Sequence, residues 1–161
     1  YGHTAGDAVL MQIKDVLKQI FRELDYCVRW GGEEFLVVAR FSERNNAAEL
    51  AERLRAAIEK HAFKISDSET INKTCSIGFA SYPFLPNRPQ ALSWERVVDI
   101  ADHCLYAAKN SNRNAWIGLD NISCEADGLF AQITENTTAL IEANHLQVKS
   151  SLSKNIQIKW Q

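Results

Sequence analysis

The chain has 161 residues, a formal net charge of −2 and 46% hydrophobic residues, which fits one globular domain with an ordinary core. The slightly acidic balance argues against nucleic-acid binding through a basic surface, and no apolar run is long enough to cross a bilayer. The four cysteines form no Cys-x-x-Cys pair, so a zinc or redox site is not indicated.

The first part of the chain combines an amphipathic helix with a hairpin. Apolar residues recur at steps of three and four over residues 6–24, which predicts a helix with one apolar face. Two β-type runs follow at 26–30 and 35–39, and they flank the pair Gly31-Gly32. Such runs around a Gly-Gly pair indicate a β-hairpin.

The alternation of helices and strands continues downstream. Helical spacing predicts a helix over 46–61, and a β-rich run covers 74–82. Ser93 is a suitable N-cap for a helix that reaches about Asn112, and a short strand is predicted at 115–117. The predicted fold is an α/β (α+β layered) domain with a mainly antiparallel central sheet flanked by helices.

The composition changes after position 120, so we expect a domain over 1–120 and a C-terminal appendage over 121–161. A weak helical pattern covers 127–145. Two short strands are predicted at 148–152 and 156–160, and nothing in the appendage indicates chemistry.

The turn of the hairpin combines a bare backbone with two carboxylates. Gly31 and Gly32 carry no Cβ, so they allow positive φ and let a ligand approach the backbone. Glu33 and Glu34 supply hard oxygen ligands of the kind Mg²⁺ takes beside substrate phosphates, although in a strand only one would face the glycines. Taken alone, the turn is equally compatible with an exposed acidic hairpin.

Four segments, in order from Tyr1 to about Leu119, carry a resemblance to a known family. They are Gly2-His3-Thr4-Ala5-Gly6-Asp7, Arg29-Trp30-Gly31-Gly32-Glu33-Glu34-Phe35, Thr74-Cys75-Ser76-Ile77-Gly78-Phe79-Ala80, and Ala101-Asp102 with Leu105-Tyr106-Ala107-Ala108-Lys109 and Arg113-Asn114. Together they resemble the GGDEF family of diguanylate cyclases, in the variant whose signature carries Glu-Glu. The resemblance implies a fold like that of nucleotidyl cyclases and polymerase palm domains, with the hairpin at the active site.

The resemblance implies that two GTP molecules are condensed into cyclic di-GMP and two pyrophosphates. Each 3′-hydroxyl would attack the α-phosphate of the other nucleotide across a homodimer. Positioning and charge neutralisation supply most of the catalysis in such reactions. The implied cofactor is Mg²⁺ or Mn²⁺, with two ions about 4 Å apart in each half-site.

The resemblance also implies roles for the residues of the turn. Glu33 is expected to be a catalytic metal ligand, and Glu34 a second acid that assists metal binding or proton removal. Gly31 and Gly32 would let the ribose and phosphates approach.

Three further residues are expected to bind the substrate. Asp7 matches the family position that accepts hydrogen bonds from the guanine edge, although alone it is typical of a charge at a helix N-terminus. Lys109 and Arg113, four apart, are expected to share a helix face and bind phosphate; alone they are typical of a solvated helix C-terminus.

An inhibitory product site is implied by Arg22-Glu23-Leu24-Asp25, which resembles the family's Arg-x-x-Asp site at the usual distance before the glycines. Arg22 would clamp cyclic di-GMP, Asp25 would accept from its guanine, and Arg53 matches a secondary arginine. The Arg-x-x-Asp sequence is also typical of an ordinary ion pair between two helix residues three positions apart.

The beginning of the chain departs from the family pattern. There a strand with the first metal-binding Asp, and an Asn that contacts guanine, precede the Gly-His-x-x-Gly-Asp segment, whereas this sequence opens at Tyr1. We expect no signal peptide in this segment. We therefore expect the domain over 1–120 to lack its first strand, and such a fragment alone to be inactive. Asn112 replaces the usual Gly, and Asn tolerates the left-handed conformation better than most residues.

Three alternatives stay open on the sequence. The first is a catalytically inactive GGDEF domain that binds GTP or cyclic di-GMP, or dimerises. The second is a docking module that acts through the appendage, and the third is a related nucleotidyl cyclase or polymerase palm domain. In each case we expect a cytoplasmic domain of a larger sensory protein, with or without a membrane anchor, together with an upstream sensor and no nucleic-acid partner.

Overall fold

The structure, a computed structural model, describes residues 1–123 and 128–160, and these form a mixed α/β arrangement as predicted. The helices are α1 (Gly2–Ile20), α2 (Ala47–Lys60), α3 (Trp94–Asn110) and α4 (Leu129–Glu142). The strands are β1 (Tyr26–Gly31), β2 (Glu34–Val38), β3 (Ala62–Lys64), β4 (Thr70–Asn72), β5 (Ile77–Ala80), β6 (Trp116–Asn121) and β7 (Leu146–Ser150). No helix within the described ranges is both long enough and apolar enough to span a membrane.

The described strands form three small sheets. β1 pairs with β2 and β3 with β4, both antiparallel. In the third sheet β6 is central, with β5 parallel on one side and β7 antiparallel on the other. Antiparallel pairs predominate, as expected. The strands do not form one continuous sheet. β2 and β5 are edge strands, each of which pairs with a described strand on one side only.

The predicted hairpin and the predicted second helix are confirmed, but α1 begins and ends four residues earlier than its apolar spacing predicted. The early end is explained by Asp25. Its carboxylate accepts the backbone N–H groups of Arg22 and Arg40, each at 2.8 Å, and so fixes a turn directly after the helix. Leu24, which continued the apolar spacing, is therefore exposed rather than packed in the core.

α3 is fixed at its beginning and along its length. The Ser93 hydroxyl accepts a hydrogen bond from the Arg96 N–H at 3.5 Å, which confirms the predicted N-cap. Gly78 of β5 packs so closely against α3 that a Cβ there would lie 2.0 Å from the Ala101 carbonyl oxygen and 2.2 Å from the Leu105 nitrogen. Only glycine permits this approach, so β5 and α3 hold each other in place.

The C-terminal residues share a hydrophobic core with α3 and β6. β7 extends the sheet of β6, and the buried side chains of α3, β6, α4 and β7 form one cluster. Its fully or almost fully buried members include Ile100, Cys104, Ile117, Leu119, Leu129, Ile133 and Leu146. The boundary predicted at residue 120 lies near the end of β6. Asp127, where the helical pattern began, lies outside the described residues.

The prediction of a second strand at 156–160 was wrong. This segment has no strand geometry, because its groups are used in contacts with α3 and its C-cap. The Lys159 N–H donates to the Ser111 hydroxyl at 2.8 Å, and the Trp160 ring stacks on His103 with centroids 5.3 Å apart. α4 contains a kink at Asn136, whose backbone is not helical.

Candidate functional site

An open groove of about 1980 Å³ is lined by residues of α1, β1, β2, α2, β4, β5 and α3, many of them apolar. This volume exceeds the roughly 300–1,000 Å³ of ordinary small-molecule sites. The structure brings most of the predicted site residues to this groove. They are Asp7, Gly32, Glu33, Glu34, Lys109 and Arg113, whereas Gly31 is not among the lining residues.

The hairpin register places the two acids differently. Gly31 lies opposite Glu34, so Gly32 and Glu33 form a two-residue loop. Gly32 has φ +51°, a left-handed conformation that favours glycine, and its carbonyl accepts the Arg29 Nε–H at 2.9 Å. Glu33 is thus a loop residue, and only Glu34 begins the strand.

The space above both glycines is open. A Cβ at Gly31 or Gly32 would meet no atom within 4 Å. Gly32 needs glycine for its backbone conformation, whereas Gly31 does not have a positive φ. Nothing in the described chain therefore requires glycine at position 31, and its bare backbone is accessible to a ligand.

Lys109 and Glu34 connect the end of α3 with the beginning of β2. The lysine Nζ lies 2.8 Å from the glutamate Oε1, and the two side chains are 40% and 45% exposed. Exposed ion pairs of this kind contribute only about 0–1 kcal/mol. The Lys109 ammonium and the Glu34 carboxylate can therefore exchange each other for a ligand that binds them more strongly.

Arg113 reaches the groove for a different reason from the predicted one. α3 ends at Asn110, so Lys109 and Arg113 do not share a helical face. Arg113 lies instead in a turn in which Asn112, Arg113 and Asn114 have φ values of +119°, +55° and +44°. The Arg113 side chain is exposed and forms no ion pair with the described residues.

Asp7 is exposed on α1 and lines the same groove. It lies beyond the first turn of the helix, which contains no acidic residue. Stabilisation of the helix N-terminus therefore does not explain this carboxylate. It also forms no hydrogen bond or ion pair within the described part of the chain, so its oxygens are available to a ligand.

The predicted inhibitory residues lie outside the groove lining. Arg22 and Arg53 are exposed. The Asp25 carboxylate is occupied by two backbone N–H groups, one from Arg22 and one from Arg40, and forms no ion pair with the Arg22 guanidinium. An ion pair between Arg22 and Asp25, which would have been an ordinary explanation of the Arg-x-x-Asp sequence, is therefore absent from the described chain. The structural role of Asp25 is to fix the turn.

The turn contains a partial donor set for a divalent cation. Glu33 and Glu34 provide hard oxygen ligands, which suit Mg²⁺ in proteins that leave other positions to phosphates and water. No group of three or more His, Cys, Asp or Glu residues that could hold a metal occurs within residues 1–123 and 128–160. The two glutamates fit Mg²⁺ only if substrate oxygens complete its coordination.

Next to the site is a polar network that the sequence did not predict. On α2, Arg55 pairs with Glu52 at 2.8 Å and with Glu59 at 2.9 Å. The Asn114 side chain accepts from Arg55 at 2.9 Å and donates to Glu59 at 2.7 Å, and the Trp116 indole donates to Glu52 at 2.8 Å. Two hydrogen bonds lower the pKa of the Glu59 carboxyl. The bond from Asn114 has the larger effect, and the bond from Arg55 has the next largest. The spacing of the three α2 charges predicts helical ion pairs, but no local pattern indicates the link to Asn114.

Comparison with known proteins gives consistent matches. The family model described as "Diguanylate cyclase, GGDEF domain" matches residues 1–115. Diguanylate cyclase A of Treponema denticola is 38% identical over 114 residues, which are 71% of this chain and 29% of that protein. Diguanylate cyclase DosC of Escherichia coli K12 is 35% identical over 114 residues, 71% of this chain and 24% of its own length. The chain thus spans less than a third of these relatives.

A solved structure agrees with the sequence matches. The diguanylate cyclase SiaD of Pseudomonas aeruginosa, determined in complex with its activator SiaC, superposes with a TM-score of 0.65 at 31% identity. The match covers 73% of this chain and 43% of that one.

Proposed function

The chain belongs to the GGDEF family, and on that basis we propose that it is the catalytic domain of a diguanylate cyclase, which condenses two GTP molecules into cyclic di-GMP and two pyrophosphates. One observation carries the proposal. Asp7, Glu33, Glu34, Lys109 and Arg113, which are distant in sequence, line a single groove beside an open glycine turn. Phosphoryl transfer requires mainly such positioning and charge neutralisation.

Lys109 and Arg113 would bind the triphosphate. Arg113 offers a planar fork of donors and has no competing ion pair in the described chain, while Lys109 offers a compact charge. Phosphate oxygens would replace Glu34 as the partner of Lys109. This exchange would release the Glu34 carboxylate when the substrate binds.

Glu33 and the released Glu34 would then hold Mg²⁺ or Mn²⁺ at the turn. When bound, the cation supplies charge neutralisation at the phosphates and lowers the pKa of an attacking hydroxyl. Glu33 is not held by an ion pair within the described residues, and the bare backbone of Gly31 and Gly32 leaves space for the ribose and phosphates beside it.

Asp7 would select guanine. A carboxylate accepts from both the N1–H and the 2-amino group of guanine, and adenine presents neither donor there. The exposed position of Asp7 on the groove, without a partner in the described chain, supports this role.

The remaining parts of the proposal concern assembly and control. Because each groove would present one nucleotide to another, catalysis needs two copies that face each other as a homodimer. Cyclic di-GMP would inhibit by binding Arg22, Asp25 and Arg53, which lie outside the groove lining. The greater length of the relatives supports a domain of a larger protein. We propose that this domain is cytoplasmic and is regulated by a sensor in the same polypeptide.

The test is to incubate the protein, at its natural length, with GTP and Mg²⁺ and to measure cyclic di-GMP by chromatography. Glu33→Ala should abolish the product, and Glu49→Ala, which removes an exposed acid of α2, should not. A protein that binds GTP without product would favour a binding or dimerisation module.

A further inference from the structure

The turn after α3 has an unfavourable backbone. Asn112, Arg113 and Asn114 all have positive φ, and none of them is glycine. Residues with a Cβ adopt this region at an energetic cost and keep it only when surrounding contacts determine it. The contacts around the turn therefore decide whether Arg113 keeps its conformation.

Contacts on both sides hold the turn. On the α3 side, the Arg113 N–H donates to the Ala108 carbonyl at 3.1 Å, and Ala115 is buried at the start of β6. On the α2 side, the Asn114 side chain is bound at both of its polar ends. Of the three turn residues, only Arg113 lines the groove.

The clamp on Asn114 requires an amide. Arg55 has donors only, and the ionised Glu59 has acceptors only. An amide matches both, because its oxygen accepts from Arg55 at 2.9 Å while its nitrogen donates to Glu59 at 2.7 Å. Arg55 is itself fixed by Glu52 and Glu59, and the Trp116 indole fixes Glu52.

From this arrangement we propose that Asn114 is a positioning residue, which the Arg55–Glu59 pair clamps so that the adjacent Arg113 presents its guanidinium to the nucleotide phosphates. The proposal rests on the proposed function through Arg113 alone. Asn114 does not line the groove, so the proposal gives it no contact with the nucleotide.

The clamp is tested by reversing one hydrogen bond. Asn114→Asp places two carboxylates against each other at Glu59 and should weaken binding of a non-hydrolysable GTP analogue about tenfold. Adding Glu59→Gln supplies an amide that donates to the new carboxylate while its oxygen still accepts from Arg55. The double variant should recover most of the affinity. Asn87→Asp, at an exposed position, is the matched control and should leave affinity unchanged.

The route through Arg113 is tested by combining variants. Arg113→Ala should weaken analogue binding, and Asn114→Asp should add no further loss in that background. Additive losses, or no rescue by Glu59→Gln, would overturn the positioning role. If Arg113→Ala itself has no effect, the phosphate-binding role of Arg113 fails, and the positioning role fails with it. If Arg113→Ala weakens binding and Asn114→Asp does not, only the positioning role is refuted.

Thermal unfolding separates positioning from general damage. The rescued and control variants should melt like the parent protein. If Asn114→Asp is unfolded at the assay temperature, Asn114→Ser, which keeps one short donor and acceptor, replaces it in the combination with Arg113→Ala. An additive loss there would again refute the proposal.

Discussion

Lys109 and Glu34 form a 2.8 Å ion pair between the last turn of α3 and the first residue of β2. Each residue also has a proposed binding role: Lys109 would bind the substrate phosphates, and Glu34 would bind a divalent cation. The pair keeps the two charges together while no ligand is bound. Its exposure implies that it contributes little to folding, so the two roles can be separated by experiment.

Lys109→Ala should reduce GTP affinity far more than stability. Loss of one charge-assisted hydrogen bond to phosphate corresponds to about 1.5–3 kcal/mol, or about tenfold to hundredfold in affinity. The free energy of unfolding should change by less than about 1 kcal/mol, because the pair is exposed. Calorimetric titration and denaturant unfolding measure the two quantities. Lys154→Ala, at an exposed lysine, is the control; equal effects of both variants on affinity would contradict the phosphate role.

Gly31→Ala should impair nucleotide binding without destabilising the protein. Position 31 has no positive φ, and an added methyl group there would have no neighbour within 4 Å, so the folded chain accommodates alanine. The methyl group would instead occupy the space proposed for ribose and phosphate. We expect an unchanged or slightly raised melting temperature together with a higher KM for GTP. An unchanged KM would show that the ligand does not approach this backbone.

Arg22→Ala should leave the proposed diguanylate cyclase activity intact and remove inhibition by added cyclic di-GMP. Arg22 is exposed and does not line the groove, so its side chain is dispensable for the fold and for GTP binding. Inhibition curves with and without the substitution give the answer, and an unchanged curve would refute the assignment.

Asp25→Ala is a poor test of the same site. It leaves the exposed N–H group of Arg22 and the half-buried N–H group of Arg40 without their partner, and should lower the free energy of unfolding by about 1 kcal/mol.

His103 should make stability fall on mild acidification. Burial lowers its pKa below the ordinary 6.5, so the unfolded chain binds a proton more readily than the folded one. Stability from this group is present above pH 6.5 and decreases as the pH falls from there toward the lower folded pKa. The His103 ring contacts the Thr137 hydroxyl at 2.8 Å. His103→Gln, whose amide can still donate to that hydroxyl, should reduce the difference in melting temperature between about pH 7.5 and about pH 5.5. His3→Gln, at an exposed histidine, controls for the loss of an imidazole.

Asn112→Gly should stabilise the protein. The φ of +119° at Asn112 is unfavourable for a residue with a Cβ, and glycine relieves this cost at the expense of a more flexible unfolded chain. The net gain should be about 0.5–1 kcal/mol in the free energy of unfolding, measured by denaturant titration. A loss of stability would mean that the Asn112 side chain makes a contribution greater than the backbone cost.

Local patterns predicted the elements better than their ends. The apolar spacing of α1 and the Gly-Gly pair of the hairpin are properties of neighbouring residues, so both elements could be predicted. The end of α1 could not, because it depends on the bond from Arg40 to Asp25 across 15 positions. Similarly, alternation at 156–160 resembled a strand, but the contact between Trp160 and His103 determines that segment.

In the candidate site, too, the sequence predicted the residues but not the long-range contacts that hold them. The resemblance of four segments to the GGDEF family indicated Asp7, Glu33, Lys109 and Arg113, and the fold places them on one groove. It did not indicate how Arg113 is held, since Asn114 binds residues that precede it by more than 50 positions. Such contacts exist only after α2 and the turn have come together.

The antiparallel pairing of β7 with β6 protects the protein from aggregation through the edge of β6. Without β7, the edge of β6 would expose unpaired N–H and C=O groups beside the apolar side chains of Ile117 and Leu119. Bare apolar edges recruit strands from other molecules and seed intermolecular aggregates. A version cut after residue 120 would therefore be expected to self-associate through this edge, and the C-terminal residues act as its protective cover.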